Sequence, residues 1–284
     1  MTPCALLRQT AARFRQAGIP DPETDSALIL SFLCRRPPLS LRLDTDTVLD
    51  PDTLESFAAL ADRRLTREPL QYILGEAPFC GRFFRVDKRV LIPRPETEEL
   101  CRWALDLLPS GANLRVLDLC AGSGCIGLTI AAERPGCSVT LSDISEDALA
   151  VARCNAASLD VRVSFSQSDL MSEFPKDSFD LVVSNPPYIP AGECPSLQPE
   201  VLREPVLALS GGTDGLDCYR RIASDAPRVL KAGGKLLMEL GFGESAAVSA
   251  LLRKAGASDI VVRKDLSGVD RMILAVFSPG RNYV

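Results

Sequence analysis

The sequence of 284 residues contains no histidine. This absence excludes Ser-His-Asp and Cys-His nucleophilic catalysis, acid–base catalysis by histidine, and nearly all transition-metal sites. The ten cysteines form no C-x-x-C pair, so we expect no metal site and reduced thiols, as in a cytoplasmic protein. The chemistry must then use the backbone, amides, carboxylates, hydroxyls or an organic cofactor.

The sequence also lacks an excess of positive charge and any long apolar run. Lysine and arginine number 32 against 37 acidic residues, a net charge of −5, and this argues against a protein that clamps a nucleic-acid backbone. No apolar run approaches the ~18 residues that span a bilayer. Met1–Ala12 has no apolar core of the signal-peptide type, so neither membrane insertion nor secretion is expected.

Three regions follow one another along the chain. Residues 1–70 carry apolar side chains at helical spacing and predict a small helical bundle. Residues 71–95 are punctuated by glycine and proline and predict a linker with a β-hairpin. Residues 96–284 predict an α/β domain.

Within this last region, short apolar runs alternate with helical stretches, which is typical of βαβ units and a mainly parallel sheet. The predicted strands are Arg115–Leu119, Val139–Asp143, Val161–Asp169, Phe179–Ser184, Lys235–Leu240, Ile260–Val262 and Met272–Phe277. Only a polar loop separates the last two, so they are expected to pair antiparallel.

A glycine-rich turn follows the first of these strands. Gly122, Gly124 and Gly127 match G-x-G-x-x-G, a pattern that suggests a dinucleotide when it stands alone. However, Asp118 near the strand end would repel a pyrophosphate and attract a cation, such as the amino group of a methionine-like moiety beside a sulfonium. Glycine lets the backbone approach a ligand closely. The turn therefore predicts an S-adenosylmethionine (SAM) loop.

Acidic residues also end the next two strands. Asp143 lies 25 residues after Asp118 and suits a ribose diol, because a carboxylate accepts two hydroxyl hydrogen bonds. Asp169 is predicted to accept a hydrogen bond from the adenine amino group, and Leu170 to pack on the ring. Ligands of open α/β sheets bind at these carboxyl ends.

The tetrad Asn185, Pro186, Pro187 and Tyr188 follows the fourth strand. The prolines have no N–H donor, so they offer only carbonyl acceptors, to which Asn185 adds a side-chain carbonyl and Tyr188 a flat ring. Such an array suits a planar –NH₂ group whose nitrogen must face an electrophile. Without a strong base, catalysis would come from orientation and electrostatics, and the proton would leave later to water.

Further motifs surround these residues. P-L-Q-Y-I-L-G (69–75) and L-I-P-R-P-E-T-E (91–98) precede the glycine turn, and L-Q-P-E-V (197–201), E-P (204–205) and D-G-L (214–216) follow the tetrad. Together with the tetrad, they resemble the peptide chain release factor N5-glutamine methyltransferase family (HemK/PrmC) over about residues 66–284.

The resemblance implies a class I SAM-dependent methyltransferase, with a Rossmann-like, mainly parallel sheet, an antiparallel C-terminal hairpin and a small N-terminal helical domain. It implies methylation of the glutamine amide in the Gly-Gly-Gln motif of class 1 bacterial-type release factors, with S-adenosyl-L-homocysteine as product. The cofactor contacts it implies are Cys120, Ala121, Gly122, Ser123, Gly124, Asp143, Leu170 and Asn185. The tetrad would hold the substrate glutamine, and the helical domain would help to dock the release factor. We expect a cytoplasmic monomer.

Three alternatives stay open at this point. A nucleic-acid methyltransferase acting on adenine N6 or guanine N2 shares the cofactor and the tetrad, but no basic groove or target-recognition segment is visible. An NAD-dependent oxidoreductase would use the glycines but conflicts with Asp118. A catalytically silent SAM-fold binding protein conflicts with the intact tetrad.

Overall fold

The computed structural model describes residues 1–278, and contacts divide it into two compact units. The first unit comprises Met1–Glu76 together with the short segment Gln198–Arg203. The second comprises Ala77–Leu197 and the chain from Glu204 onward. None of the helices in residues 1–278 is both long and apolar enough to cross a membrane.

The first unit is helical. Its helices are α1 (Pro3–Gln16), α2 (Pro22–Cys34), α3 (Pro38–Leu43), α4 (Pro51–Leu65) and α5 (Leu70–Leu74). Phe14, Ile29, Leu41 and Phe57 are almost fully buried and belong to its core. The sequence did not predict α3 or α5. Pro38 begins α3, because proline suits the first turn of a helix, where its missing N–H has no partner to lose.

The second unit begins with the predicted β-hairpin and continues into an α/β layer structure. The hairpin strands are β1 (Glu76–Phe79) and β2 (Arg82–Arg85). The following strands are β3 (Arg115–Leu119), β4 (Ser138–Asp143), β5 (Ser164–Gln167), β6 (Phe179–Ser184), β7 (Leu230–Glu239), β8 (Asp259–Lys264) and β9 (Asp270–Phe277). The helices are α6 (Pro95–Leu107), α7 (Cys125–Glu133), α8 (Glu146–Leu159), α9 (Asp217–Val229) and α10 (Ser245–Lys254).

The seven strands of the large sheet lie in the order β5-β4-β3-β6-β7-β9-β8. The first five are parallel, and β9 pairs antiparallel with both β7 and β8. The predicted fold class and the C-terminal antiparallel pair are confirmed. Strand β5 is shorter than the predicted Val161–Asp169, and it lies at the sheet edge, where it has one neighbour only.

Alternation along β3 decides which side chains face which layer. Val116 belongs to a core cluster with residues of α6, α7 and α8, whereas Leu117 and Leu119 belong to a cluster with residues of α9 and α10. Because successive side chains of a strand point to opposite faces, Asp118 lies on the same side as Val116. Its carboxylate is therefore directed under α7.

Candidate functional site

A cleft of about 220 Å³ lies at the carboxyl edge of the sheet. Register brings the strand ends together there, since Leu119 pairs with Ser142 on one side and Ser184 on the other. Of the predicted site residues, those that line the cleft are Cys120, Gly122, Asp143, Asp169, Leu170, Asn185 and Pro187. Those outside the lining are Asp118, Ala121, Ser123, Gly124, Pro186 and Tyr188.

The glycine turn is fastened to the end of β4 by Asp143. The Gly122 N–H donates to Asp143 Oδ2 at 2.9 Å, and the Ser145 N–H donates to Oδ1 at 2.9 Å. Burial raises the pKa of Asp143, while these backbone donors lower it. Gly122 has a φ of +54°, and a Cβ placed on it would meet no heavy atom within 4 Å. A Cβ at this position would therefore meet open space.

Asp118 lies beneath the turn with no exposed surface. Its Oδ2 accepts the Gly127 N–H at 2.7 Å, in the first turn of α7, and its Oδ1 has no hydrogen-bond partner in the described part of the chain. Burial raises the pKa of Asp118 to about 7. Its predicted contact with a ligand amino group stays a prediction, whereas its contact with the start of α7 is direct.

The glycine turn also contains three residues that do not line the cleft, namely Ala121, Ser123 and Gly124. The Ala121 N–H donates to the Ser142 carbonyl at 3.0 Å, and the Ser123 carbonyl accepts from Asn155 Nδ2 at 2.9 Å. Gly124 adopts a φ of +80° at the start of α7. These residues hold the backbone that lines the cleft, and their predicted cofactor contacts remain untested.

Asp169 and Leu170 lie on the β5 side of the cleft. Asp169 Oδ2 accepts a hydrogen bond from Arg221 at 2.7 Å, so part of its acceptor capacity is already used. Leu170 is buried with a φ of +53°, a strained conformation for a residue with a side chain. The Ser168 hydroxyl donates to the Leu170 carbonyl at 2.8 Å and helps to hold this turn.

The tetrad leaves the sheet at the end of β6. Ser184 is fully buried, and its hydroxyl donates to the Leu119 carbonyl at 2.7 Å, which ties β6 to β3. Asn185 and Pro187 line the cleft. The ring of Tyr188 packs against the α9/α10 core cluster, and burial raises the pKa of its phenol.

Two buried residues behind the tetrad were not predicted as site residues. Thr97 lies in the first turn of α6 and Glu239 ends β7, with exposures of 3% and 1%. Asn185 Nδ2 donates to Thr97 Oγ1 at 3.1 Å, Thr97 Oγ1 donates to Glu239 Oε2 at 2.7 Å, and the Tyr188 hydroxyl donates to Glu239 Oε1 at 3.3 Å. Burial raises the pKa of Glu239 to about 7. An acidic residue closing the short apolar run 236–238 was the available sequence signal.

Sequence reasoning also missed two segments that line the cleft. They are residues 89–91, before α6, and several residues between 205 and 210. Glu204, directly before the second segment, is bonded to residues directly after the first. Its buried carboxylate accepts the Ile92 N–H at 3.0 Å and pairs with Arg94 at 2.6 Å. Ile144, an exposed apolar side chain directly after Asp143, lines the cleft as well.

Two family models and many relatives match this chain. Residues 5–75 match the PrmC N-terminal domain, and residues 101–204 match the methyltransferase small domain. The release factor glutamine methyltransferase of Caulobacter vibrioides is 42% identical over 270 residues, covering 94% of this chain and 93% of that protein. That of Cereibacter sphaeroides is 43% identical over 272 residues, covering 95% and 96%.

The chain belongs to the release factor glutamine methyltransferase family.

A solved methyltransferase structure from Pyrococcus furiosus has a fold similar to that of a large part of this chain. It has a TM-score of 0.53 and 17% sequence identity, and the match covers 69% of this chain and 89% of that one. The fold is therefore shared with a protein of low sequence identity. Membership of the release factor glutamine methyltransferase family makes the chain an enzyme of the methyltransferase class.

The charges around the cleft of this methyltransferase suit an organic cation better than a pyrophosphate. Both arginines of its lining are paired with carboxylates, Arg89 with Asp87 at 2.6 Å and Arg221 with Asp169 at 2.7 Å. The Gly122 N–H is taken up by Asp143. In a dinucleotide fold, such N–H groups and the helix N-terminus face phosphate. These three groups are already engaged, which argues against the oxidoreductase alternative.

The same cleft offers what a nucleoside with a cationic tail needs. Asp143 supplies a carboxylate with acceptor capacity beyond its two backbone bonds, and Ile144 and Leu170 supply apolar surface. Gly122 leaves open space where a Cβ would project. In residues 1–278, no group of three or more cysteine or acidic side chains is arranged to hold a metal ion.

Proposed function

We propose that the protein transfers a methyl group from S-adenosyl-L-methionine to the side-chain amide nitrogen of glutamine in the Gly-Gly-Gln motif of class 1 bacterial-type release factors. S-adenosyl-L-homocysteine is the second product, and methylation of the motif modulates translation termination. The carrying observation is the placement of Asn185 at the cleft, with its Nδ2 engaged by Thr97, so that its Oδ1 is left for a substrate amide. The names of the relatives supply the acceptor.

The cofactor supplies an electrophilic methyl group on a sulfonium. Asp143 would accept hydrogen bonds from the ribose hydroxyls, since its oxygens keep lone pairs beyond those used by Gly122 and Ser145. Ile144 and Leu170 would contact the adenine, and Asp169 would accept from its amino group. Asp118, when ionised, would favour a cationic group bound at the turn above it.

The tetrad would hold the acceptor nitrogen. An amide nitrogen is a weak nucleophile because its lone pair is delocalised into the carbonyl. Asn185 Oδ1 and a proline carbonyl would accept both hydrogens of the glutamine –NH₂ and turn the nitrogen toward the methyl group. As the N–C bond forms, these acceptors stabilise the positive charge that develops on nitrogen, and one proton then leaves to water.

The helical unit is the proposed docking element for the release factor. The match of residues 5–75 to a family-specific N-terminal domain, separate from the general methyltransferase match, supports this role. Because release factors act at the ribosome, the proposed substrate places the enzyme in the cytoplasm. No nucleic acid is proposed as acceptor, and we propose that the enzyme acts as a monomer.

The test is transfer of radiolabelled methyl from SAM to a purified bacterial-type release factor, beside a version whose Gly-Gly-Gln glutamine is alanine. Label on the first and none on the second is the expected result. Equal label on both would refute glutamine as the acceptor. No label on either, with SAM binding verified by calorimetry, would refute the proposed function and favour a nucleic-acid acceptor.

A further inference from the structure

A series of hydrogen bonds links the amide of Asn185 to the buried carboxylate of Glu239. Glu239 Oε2 accepts from Thr97 Oγ1, and Thr97 Oγ1 accepts from Asn185 Nδ2. Glu239 Oε1 accepts from the Tyr188 hydroxyl. One carboxylate is thus linked to the first and the last residue of the tetrad.

The donors and acceptors of this series allow one orientation of the amide. When Glu239 is ionised, its carboxylate only accepts, so the single proton of the Thr97 hydroxyl is directed to Glu239. Thr97 Oγ1 then has only lone pairs to offer Asn185, and the side of the amide that meets it must be the –NH₂ side. The carbonyl side, Oδ1, is consequently turned away from Thr97.

We propose that Thr97 and Glu239 are positioning residues that set the Asn185 amide so that its oxygen, and not its nitrogen, faces the substrate amide. This inference rests on the proposed function, in which Asn185 Oδ1 accepts from glutamine. An amide rotated by half a turn would present two N–H donors to the substrate –NH₂, which is itself a donor. The glutamine nitrogen, which accepts the methyl group, would then be repelled from the site where it must react.

The chemistry of these hydrogen-bonded side chains supports a positioning role for Thr97 and Glu239 over a role in stability. A carboxylate buried to 1% exposure is costly, and apolar residues of similar volume commonly stabilise a core as well or better. Glu239 faces Thr97 and Tyr188. The charge of Arg271 acts to lower the pKa of Glu239, and the charges of Arg271 and Arg94 act to lower the pKa of Tyr188. Thr97 and Glu239 each form a hydrogen bond with a residue of the tetrad.

The test compares Thr97→Val, which removes the hydroxyl at similar volume, with Thr97→Ser, which keeps it. Thr129→Val is the matched control, because the Thr129 hydroxyl is also buried but has no hydrogen-bond partner in the described residues. The measurements are kcat and KM for release-factor methylation, SAM affinity by calorimetry, and thermal melts by circular dichroism. Thr97→Ala replaces the valine variant if the melt shows that valine prevents folding.

We expect Thr97→Val to lower kcat roughly tenfold or more, with the SAM affinity unchanged. Thr97→Ser and Thr129→Val are expected to stay within about threefold of the parent, since each leaves the series of hydrogen bonds intact. If Thr97→Val turns over like Thr129→Val, or if serine does not rescue, the positioning role is refuted. If the parent enzyme itself fails to label the release factor, the proposed function fails instead.

Discussion

Substituting Gly122 by alanine separates the cost to folding from the cost to cofactor binding. The φ of +54° is left-handed, and alanine loses about 1–2 kcal/mol there. The lower backbone entropy of unfolded alanine returns about 0.4–1 kcal/mol. No heavy atom lies within 4 Å of the new Cβ, so no clash adds to this sum. The free energy of unfolding is therefore expected to fall by about 1 kcal/mol.

The effect of Gly122→Ala on cofactor binding is expected to be larger. We expect the new methyl group to enter the cleft that Gly122 lines, where a ligand must approach the backbone closely. Overpacking by a methyl group typically costs about 1–3 kcal/mol, so SAM affinity should fall roughly tenfold or more. Calorimetric titration with SAM measures the affinity, and urea denaturation measures the stability.

Gly111→Ala is the matched control. Gly111 has a φ of +78°, also has no heavy atom within 4 Å of a built Cβ, and is not among the residues that line the cleft. The two variants should lose similar stability, but only Gly122→Ala should lose SAM affinity. Equal SAM affinity of Gly122→Ala and Gly111→Ala would refute the assignment of this cleft to the cofactor.

Three further predictions concern single side chains. Asp143→Ala is expected to weaken SAM binding by about 1–3 kcal/mol, because it removes the acceptor for the ribose and also frees the Gly122 N–H; calorimetry measures this. Asn185→Ala is expected to abolish most of kcat in the methylation assay while SAM still binds, because the Oδ1 acceptor for the substrate amide is lost. Asp118→Asn tests the buried charge. Because burial raises the pKa of Asp118 from 3.8 to about 7, the native state binds its proton more tightly, and parent stability should fall as pH rises through this range. The asparagine variant lacks this loss, so its stability relative to the parent should increase by at most about 1.4 kcal/mol per pH unit, measured by urea denaturation.

Each of these outcomes has a clear opposite. Unchanged SAM affinity of Asp143→Ala would contradict its role at the ribose. Near-parental turnover of Asn185→Ala would contradict the acceptor array. A stability difference between Asp118→Asn and the parent that is constant between about pH 4 and pH 7 would contradict the buried, proton-binding carboxylate.

Much of the second unit was predictable because its information is local. Apolar runs with helices between them predict a parallel sheet, and Pro186 and Pro187 directly after such a run must lie at a strand end. The placement of Asp143 at the cleft follows from the same rule, since the carboxyl ends of parallel strands share one edge. The role of Asp118 is less evident, because only its alternation with Val116 reveals that it points beneath α7.

The fold class, the glycine turn and the tetrad could be predicted from the sequence alone, because each depends on residues close together along the chain. The contacts of the tetrad with Thr97 and Glu239 depend on tertiary packing. Thr97 and Asn185 are 88 residues apart, and Thr97 and Glu239 are 142 apart, yet they share hydrogen bonds. Such pairs arise from the packing of α6 against β7 and the pairing of β6 with β7. Hydrogen bonds reach about 3 Å in space regardless of separation along the chain, so no local pattern encodes them.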